Sequence, residues 1–303
     1  MLPEMKRRYS ALYGDEAKDL YKTLSMPLLP SLRVNTLKTS SDELFAIFDE
    51  KGVDFVELGD GAGATILRSK FSISSMEQHL YGHYYMQGVA EMAVSPQLGT
   101  EAGDLVWDMC AAPGGKTTHI AQLAHNGAEI VATDVSAEKL KALKNNIART
   151  GVTSATVYGK DARDFFYPLR FDKVLLDAPC TGSGIMRKDP SRGVSRTLKD
   201  VAFMSGVQKG LLEKAVDDAK DGATILYSTC SLEPEENEEI IDWALGTLDV
   251  DLMALDKSFL DIAPGFCSPF GKELDERISL TGRVHPHIND TNGMFIAKLK
   301  KGT

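Results

Sequence analysis

The chain is predicted to be an α/β protein, with a doubly wound, mainly parallel sheet and a small N-terminal α/β unit. Three observations predict this. From about residue 104, short and largely apolar segments recur between helical stretches. Those segments lack strict polar–apolar alternation, which is how strands covered on both faces read. The length of 303 residues with 43% hydrophobic residues supplies one large core and a second, smaller one.

The small unit comes first. SLRVNTL, from Ser31, is short and β-branched; SSDELFAIFDEKG has a Ser/Asp start, helical apolar spacing and a stopping glycine; VDFVEL returns to alternation. Residues 72–90, rich in Tyr, His, Met and Gln, have no strict period and read as a connection, which places a domain boundary near Gly88. Residues 1–88 are therefore taken as an N-terminal domain with its linker, and 89–303 as the catalytic domain. In the second part LVWDMC, EIVATDV, ATVYGKD, KVLLDAPC and ATILYSTC read as strands, and SAEKLKALKNNIARTG and LKDVAFMSGVQKGLLEKAVDDAK as helices between them. No repeat of solenoid period is present.

Composition removes several classes of function. With 25% charged and 8% aromatic residues and no low-complexity tract, the chain is an ordinary folded protein. MLPEMKRRYS has no apolar region behind its basic residues, and no apolar run approaches the roughly 20 residues that a bilayer requires. The expectation is a cytoplasmic monomer without membrane contact. Four cysteines, Cys110, Cys180, Cys230 and Cys267, form no CxxC pair, so neither a disulfide framework nor a metal site is expected. A net charge of −9 argues against coating nucleic acid indiscriminately. Local basic stretches remain at Lys6, Arg7 and Arg8 and at Arg187, Lys188, Arg192, Arg196 and Lys199. The acidic run Glu233, Glu235, Glu236, Glu238 and Glu239 reads as a solvated face.

In open parallel sheets ligands bind beyond the carboxyl ends of the strands, which singles out Asp108, Cys110, Asp134, Asp161, Asp177, Cys180 and Cys230. The first loop, Cys110-Ala111-Ala112-Pro113-Gly114-Gly115-Lys116-Thr117, ends like a phosphate-binding loop, but Cys110 stands where that motif needs its first glycine. What remains is a small-residue turn into a helix, open to close approach by a ligand, with amides available for a carboxylate. Asp134 follows Gly114 by 20 residues at a strand end, where a carboxylate can accept from a ribose diol, while Ser136 suits the helix cap. Asp161 is placed either for an adenine edge or as a cap of its own turn. Adenosine with a carboxylate-bearing tail and no phosphate clamp points to S-adenosyl-L-methionine.

Two further loops, DAPCTGSG from Asp177 and STCS from Ser228, bring two thiols and a carboxylate to adjacent strand ends. A single cysteine in an apolar strand is usually inert packing. A pair beside a cofactor loop fits methylation at carbon 5 of cytosine. That carbon becomes nucleophilic only after a thiolate adds to carbon 6. Asp177 is the carboxyl best placed to stabilise charge at nitrogen 3, and a base must take the carbon 5 proton before the thiol departs.

DMCAAPGGKT, DAPCTGSG, STCSLEPEENE, SLRVNTLK and RVHPHINDTNGMFIAKL together resemble the signature stretches of the Sun-type (NSUN) RNA cytosine-5 methyltransferase family, across most of the chain. The resemblance implies a Rossmann-like methyltransferase sheet, Cys230 as nucleophile and Cys180 as the thiol serving release. It implies cofactor contacts along Cys110 to Lys116 and from Asp134, Lys139, Asp161 and Asp177. The family commonly has arginine where this chain has Lys139. An RNA substrate is implied, with tRNA favoured over rRNA, and the N-terminal unit and the basic stretches are expected to hold its backbone. Two other readings remain. A DNA cytosine-5 enzyme would make Cys180 the nucleophile, leave the Thr-Cys motif unexplained and lack room for a target-recognition segment. A non-catalytic RNA-binding factor would need neither thiol.

Overall fold

The structure is a computed structural model and describes residues 1–302. It forms two compact units: Leu29–Phe165, and Met1–Leu28 together with the chain from Phe166 onward. These units are defined by compactness, whereas the division near Gly88 is drawn from the loss of periodicity in the sequence.

Within Leu29–Phe165, strands β1 (Ser31–Val34), β2 (Asp54–Leu58), β3 (Gly63–Arg68) and β4 (Tyr84–Met86) pair antiparallel in the order β2-β3-β1-β4. The helix Ser41–Glu50 follows β1 because Ser40 forms a capping box with Glu43, and Leu44, Phe45 and Phe48 turn inward onto Leu32, Val34 and Ile66. The strand, helix and strand read at residues 31–58 are present. β3 and β4 were not foreseen: β3 opens on Gly63 and Ala64, and β4 is only three residues long inside the stretch read as a connection.

The same unit carries β5 (Leu105–Asp108), the helix Gly115–Leu123, β6 (Glu129–Thr133), the helix Ala137–Thr150 and β7 (Ala155–Tyr158). The strands run parallel in the order β5-β6-β7, and Val106, Trp107, Ile130, Val131 and Ala132 are wholly buried, as the unbroken apolar runs predict. Arg33, at 2% exposure, joins the small sheet to the first of these helices: its guanidinium donates to Gln87 Oε1 at 2.8 Å, to Thr118 Oγ1 at 3.0 Å and to Gln122. Asn35 Nδ2 joins it to the second helix by donating to the Thr150 carbonyl at 2.8 Å.

In the other unit, β8 (Phe171–Asp177) and β9 (Ala219–Thr229) run parallel, joined through the 21-residue helix Leu198–Asp218. β10 (Val250–Met253), β11 (Ala263–Pro264), β12 (Gly282–Val284) and β13 (Met294–Lys301) add antiparallel pairing, with β13 against β9. The N-terminal helices Pro3–Tyr13 and Ala17–Leu24 bury Met5, Tyr9, Tyr13 and Leu20 against Met186 and Leu232. Among the described residues no helix is long and apolar enough to cross a membrane.

The acidic run after β9 corrects the sequence reading. Glu233, Glu236 and Glu238 are each 0% exposed. Buried carboxylates need partners, and each has them. Arg283 donates to Glu238 at 2.5 and 2.6 Å, and the Tyr9 hydroxyl donates to Glu233 at 2.6 Å.

Candidate active site

The two thiols sit at the ends of neighbouring parallel strands. Asp177 pairs in register with Ser228, so the chain leaving β8 and the chain leaving β9 start side by side. Cys180 and Cys230 follow, with their sulfurs 3.3 Å apart and both residues half-buried. The loops are fastened together. The Ala178 amide donates to the Ser228 carbonyl at 2.8 Å, the Gly184 amide to the Cys230 carbonyl at 2.8 Å, and Gln208 Nε2 to the Pro179 carbonyl at 2.9 Å. A Cβ at Gly184 would stand 2.7 Å from the Cys230 carbonyl oxygen, so only glycine lets the first loop pass this close to the second. Asp177 Oδ1 accepts from the Ser228 hydroxyl at 2.8 Å.

The Cys230 sulfur and burial together push the Cys180 thiol well up, and the Glu236 charge adds to this. Cys180 therefore keeps its proton and can donate it to the neighbouring sulfur. Glu236 lies under both loops. Its carboxylate accepts from the Thr181 amide at 3.0 Å and the Thr181 hydroxyl at 2.8 Å, and also from Ser231. Burial pushes Glu236 up to about 7.

The glycine turn and the two carboxylates expected to face the cofactor belong to the unit of β5, β6 and β7. Gly114 has φ +106°, a conformation that disfavours side chains, and a Cβ there would stand 2.9 Å from Leu143. The helix Gly115–Leu123 starts from it without a side-chain cap. Pro113 is exposed, Gly114 and Ala111 are buried, and Cys110, Ala112, Gly115 and Lys116 are half-buried. Asp134, at the end of β6, is 9% exposed, and its two oxygens accept from the Ala112 amide at 3.1 Å and the Ser136 amide at 2.8 Å. It latches the turn to the strand end. Ser136 caps the helix Ala137–Thr150 by accepting from the Lys139 amide, and Lys139 itself is exposed. Asp161 caps the turn Ala162–Asp164 through the Arg163 amide at 2.9 Å and pairs with the Arg163 guanidinium at 2.6 Å, which holds its carboxyl below the usual range. Asp108, at the end of β5, accepts from the Thr117 hydroxyl at 2.6 Å.

Of the basic residues expected on an RNA surface, Arg187 is internal and Arg8 is half-buried in an ion pair. The Arg187 side chain is 2% exposed and donates to the Met26 and Pro27 carbonyls at 3.2 and 3.1 Å and to Asp290 at 2.7 Å. Arg8 is paired with Glu233 and Glu235 at 3.2 and 2.6 Å. Lys6, Arg7, Lys188 and Lys199 are exposed. Glu236, Thr181 and Ser231 were not foreseen as part of the site, because an acidic run beside short polar residues carries no sign of burial. No group of three or more His, Cys, Asp or Glu side chains that could hold a metal occurs among the described residues.

Residues 96–300 match the model of the 16S rRNA methyltransferase RsmB/F family. The tRNA (cytosine(49)-C(5))-methyltransferase of Pyrococcus abyssi is 33% identical over 300 residues, covering 98% of this chain and 96% of that protein. The human 28S rRNA (cytosine(4447)-C(5))-methyltransferase is 36% identical, covering 94% of this chain but 36% of its own length. The chain thus spans about a third of the mouse and human relatives it matches. Among solved structures, a methyltransferase homolog from Pyrococcus horikoshii superposes with TM-score 0.90 at 38% identity, covering 99% of this chain and 95% of that one. NSun6 from the same organism, solved with SFG, gives 0.86 at 26% identity, covering 100% and 98%. The α/β fold, with its parallel strands β5 to β9, is the Rossmann-like fold of these methyltransferases, and the resemblance read from the motifs holds across the chain. The chain belongs to the 16S rRNA methyltransferase RsmB/F family.

Proposed function

We propose that the chain is an S-adenosyl-L-methionine-dependent RNA (cytosine-5)-methyltransferase, with Cys230 as nucleophile and tRNA as substrate. The observation that carries this reading is the placement of Cys180 and Cys230, 3.3 Å apart at adjacent strand ends over a buried carboxylate. A pure RNA binder has no use for such a pair. The relative matched over nearly its whole length is named as a tRNA enzyme, which favours tRNA; the names of the longer relatives make rRNA the second reading.

The residues at the glycine turn fit the cofactor. The uncapped helix start after Gly114 suits a carboxylate, and Asp134 at the end of β6 suits a ribose diol. Cys110 to Lys116 would line it, Asp161 would meet the adenine edge, and Lys139 would add an outer contact. S-adenosyl-L-methionine, when bound, supplies a methyl group made electrophilic by its sulfonium.

The chain's own side chains do the rest. The Cys230 thiolate adds to carbon 6 of the cytosine, which places electron density on carbon 5. Asp177 stabilises the charge that develops at nitrogen 3. Once carbon 5 is methylated and its proton removed by a base, the bond from carbon 6 to sulfur breaks. The protonated Cys180 then donates to the departing sulfur of Cys230 and eases release. Residues 1–88, with exposed Lys6, Arg7, Lys51 and Arg68, and the segment carrying Lys188 and Lys199 are proposed to hold the RNA backbone.

Transfer of labelled methyl to purified tRNA, rRNA and DNA, followed by bisulfite sequencing of the labelled pool, tests the reading. Label in tRNA is expected. Label in rRNA alone replaces the substrate, label in DNA alone replaces the class, and no label in any pool contradicts an enzyme of this kind.

A further inference from the structure

The mechanism leaves Glu236 unused, although it touches both thiol-bearing loops. Thr181, which hydrogen-bonds it through both amide and hydroxyl, is the residue after Cys180; Ser231, which also hydrogen-bonds it, is the residue after Cys230. The Thr181 and Ser231 hydroxyls are themselves 3.4 Å apart. The backbone of Glu236 is fixed independently, since the Tyr227 hydroxyl of β9 donates to its carbonyl at 2.6 Å. Glu236 is thus a carboxylate with no exposure, held from behind by the strand that leads to one thiol and gripping the residue next to the other.

We propose that Glu236 is a positioning residue for the thiol pair, registering the loop of Cys180 against the loop of Cys230 so that one sulfur donates its S–H to the other. This rests on the reading of Cys180 and Cys230 as the reacting pair. The ionisable groups around Glu236 are Glu233 on its own loop, Cys180 beyond β8 and Tyr227 on β9. Of these, Cys180 is the one through which Glu236 can act on the chemistry. A negative charge fixed beside it favours the thiol over the thiolate, and the donated hydrogen bond to Cys230 depends on that proton.

The test uses the full chain without RNA or cofactor, so it remains readable if the methyltransferase reading fails. Alkylation by iodoacetamide is followed against pH, with the peptides of Cys180 and Cys230 read separately by mass spectrometry. Glu236→Gln keeps an oxygen for Thr181 and removes the charge. Cys180 is expected to react about tenfold faster at a given alkaline pH, a shift of one unit in its titration. A folded Glu236→Gln with the wild-type Cys180 profile overturns the electrostatic role. Thr181→Val keeps the charge and cuts the tether, and it stands in if the first variant does not fold. Diamide-driven bonding of Cys180 to Cys230 is expected to slow about tenfold in Thr181→Val, the loss expected for misplaced reacting groups; an unchanged rate overturns the registering role.

Discussion

At the scale of single residues, Asp134 carries two tasks. It latches the glycine turn through the Ala112 amide and is proposed to hold the cofactor ribose. Asp134→Asn preserves one carbonyl oxygen and removes the charge, so it is expected to weaken binding of S-adenosylhomocysteine by about 1.5–3 kcal/mol. Titration calorimetry decides, and unchanged affinity removes the assignment. Two buried groups pull the pH dependence of stability in opposite directions. Burial, with Arg283 beside it, pushes His285 down to about 3 from 6.5, so between those values the unfolded chain holds one more proton and stability rises with pH. Glu236, up to about 7 from 4.5, keeps in the fold a proton that the unfolded chain has lost, so stability falls as pH rises through that window. Where the windows overlap, two slopes of about 1.4 kcal/mol per pH unit offset. Glu236→Gln removes the falling contribution. Its unfolding free energy in urea is expected to climb relative to wild type between pH 4.5 and 6.5, and parallel curves would refute the burial effect. The thiols were legible in the sequence because parallel strands announce where they end. Glu236 was not, because burial of an acidic residue is decided by partners far along the chain, such as Thr181.

At the scale of elements, the helices written with their own start signals were legible. Ser136 caps the helix Ala137–Thr150, and the long helix begins where Asp200 Oδ2 accepts from both the Thr197 amide and the Thr197 hydroxyl at 2.8 Å. Asp200→Ala is expected to cost about 1 kcal/mol, by thermal or urea unfolding; no loss would mean that packing alone fixes that helix start. The N-terminal helices and β4 were not read, because short elements take their stability from what they pack against, as Tyr9 does on Glu233 and Leu232. The basic segment shows the same limit. A run of arginines and lysines carries no mark of which member turns inward, and Arg187 does. Arg187→Ala is therefore expected to destabilise the fold by about 1–3 kcal/mol, the cost of leaving the Met26 and Pro27 carbonyls without their donor, since Asp290, 75% exposed, is taken up by water. Lys188→Ala and Lys199→Ala are expected instead to lower the slope of log affinity for RNA against log salt by about 0.7–1 each. Filter binding across a salt series checks this, and slopes unchanged in both would move the RNA face elsewhere.

At the scale of the whole molecule, the alternation of apolar strands and helices fixed the fold class, since only a covered parallel sheet accommodates strands such as Leu105–Asp108 and Phe171–Asp177. The antiparallel strands β11 and β12 were not separable from loops in the sequence, because β11 has two residues and β12 three. The distribution of function over the molecule rests on one assignment, that Cys230 attacks and Cys180 releases. Each cysteine-to-alanine variant, incubated with cofactor and substrate RNA and run on a denaturing gel, tests it. Cys230→Ala is expected to lose both methyl transfer and the covalent adduct. Cys180→Ala is expected to methylate once and then accumulate a denaturant-resistant protein–RNA complex bonded through Cys230. A complex that forms in Cys230→Ala and disappears in Cys180→Ala would contradict the account and make Cys180 the nucleophile.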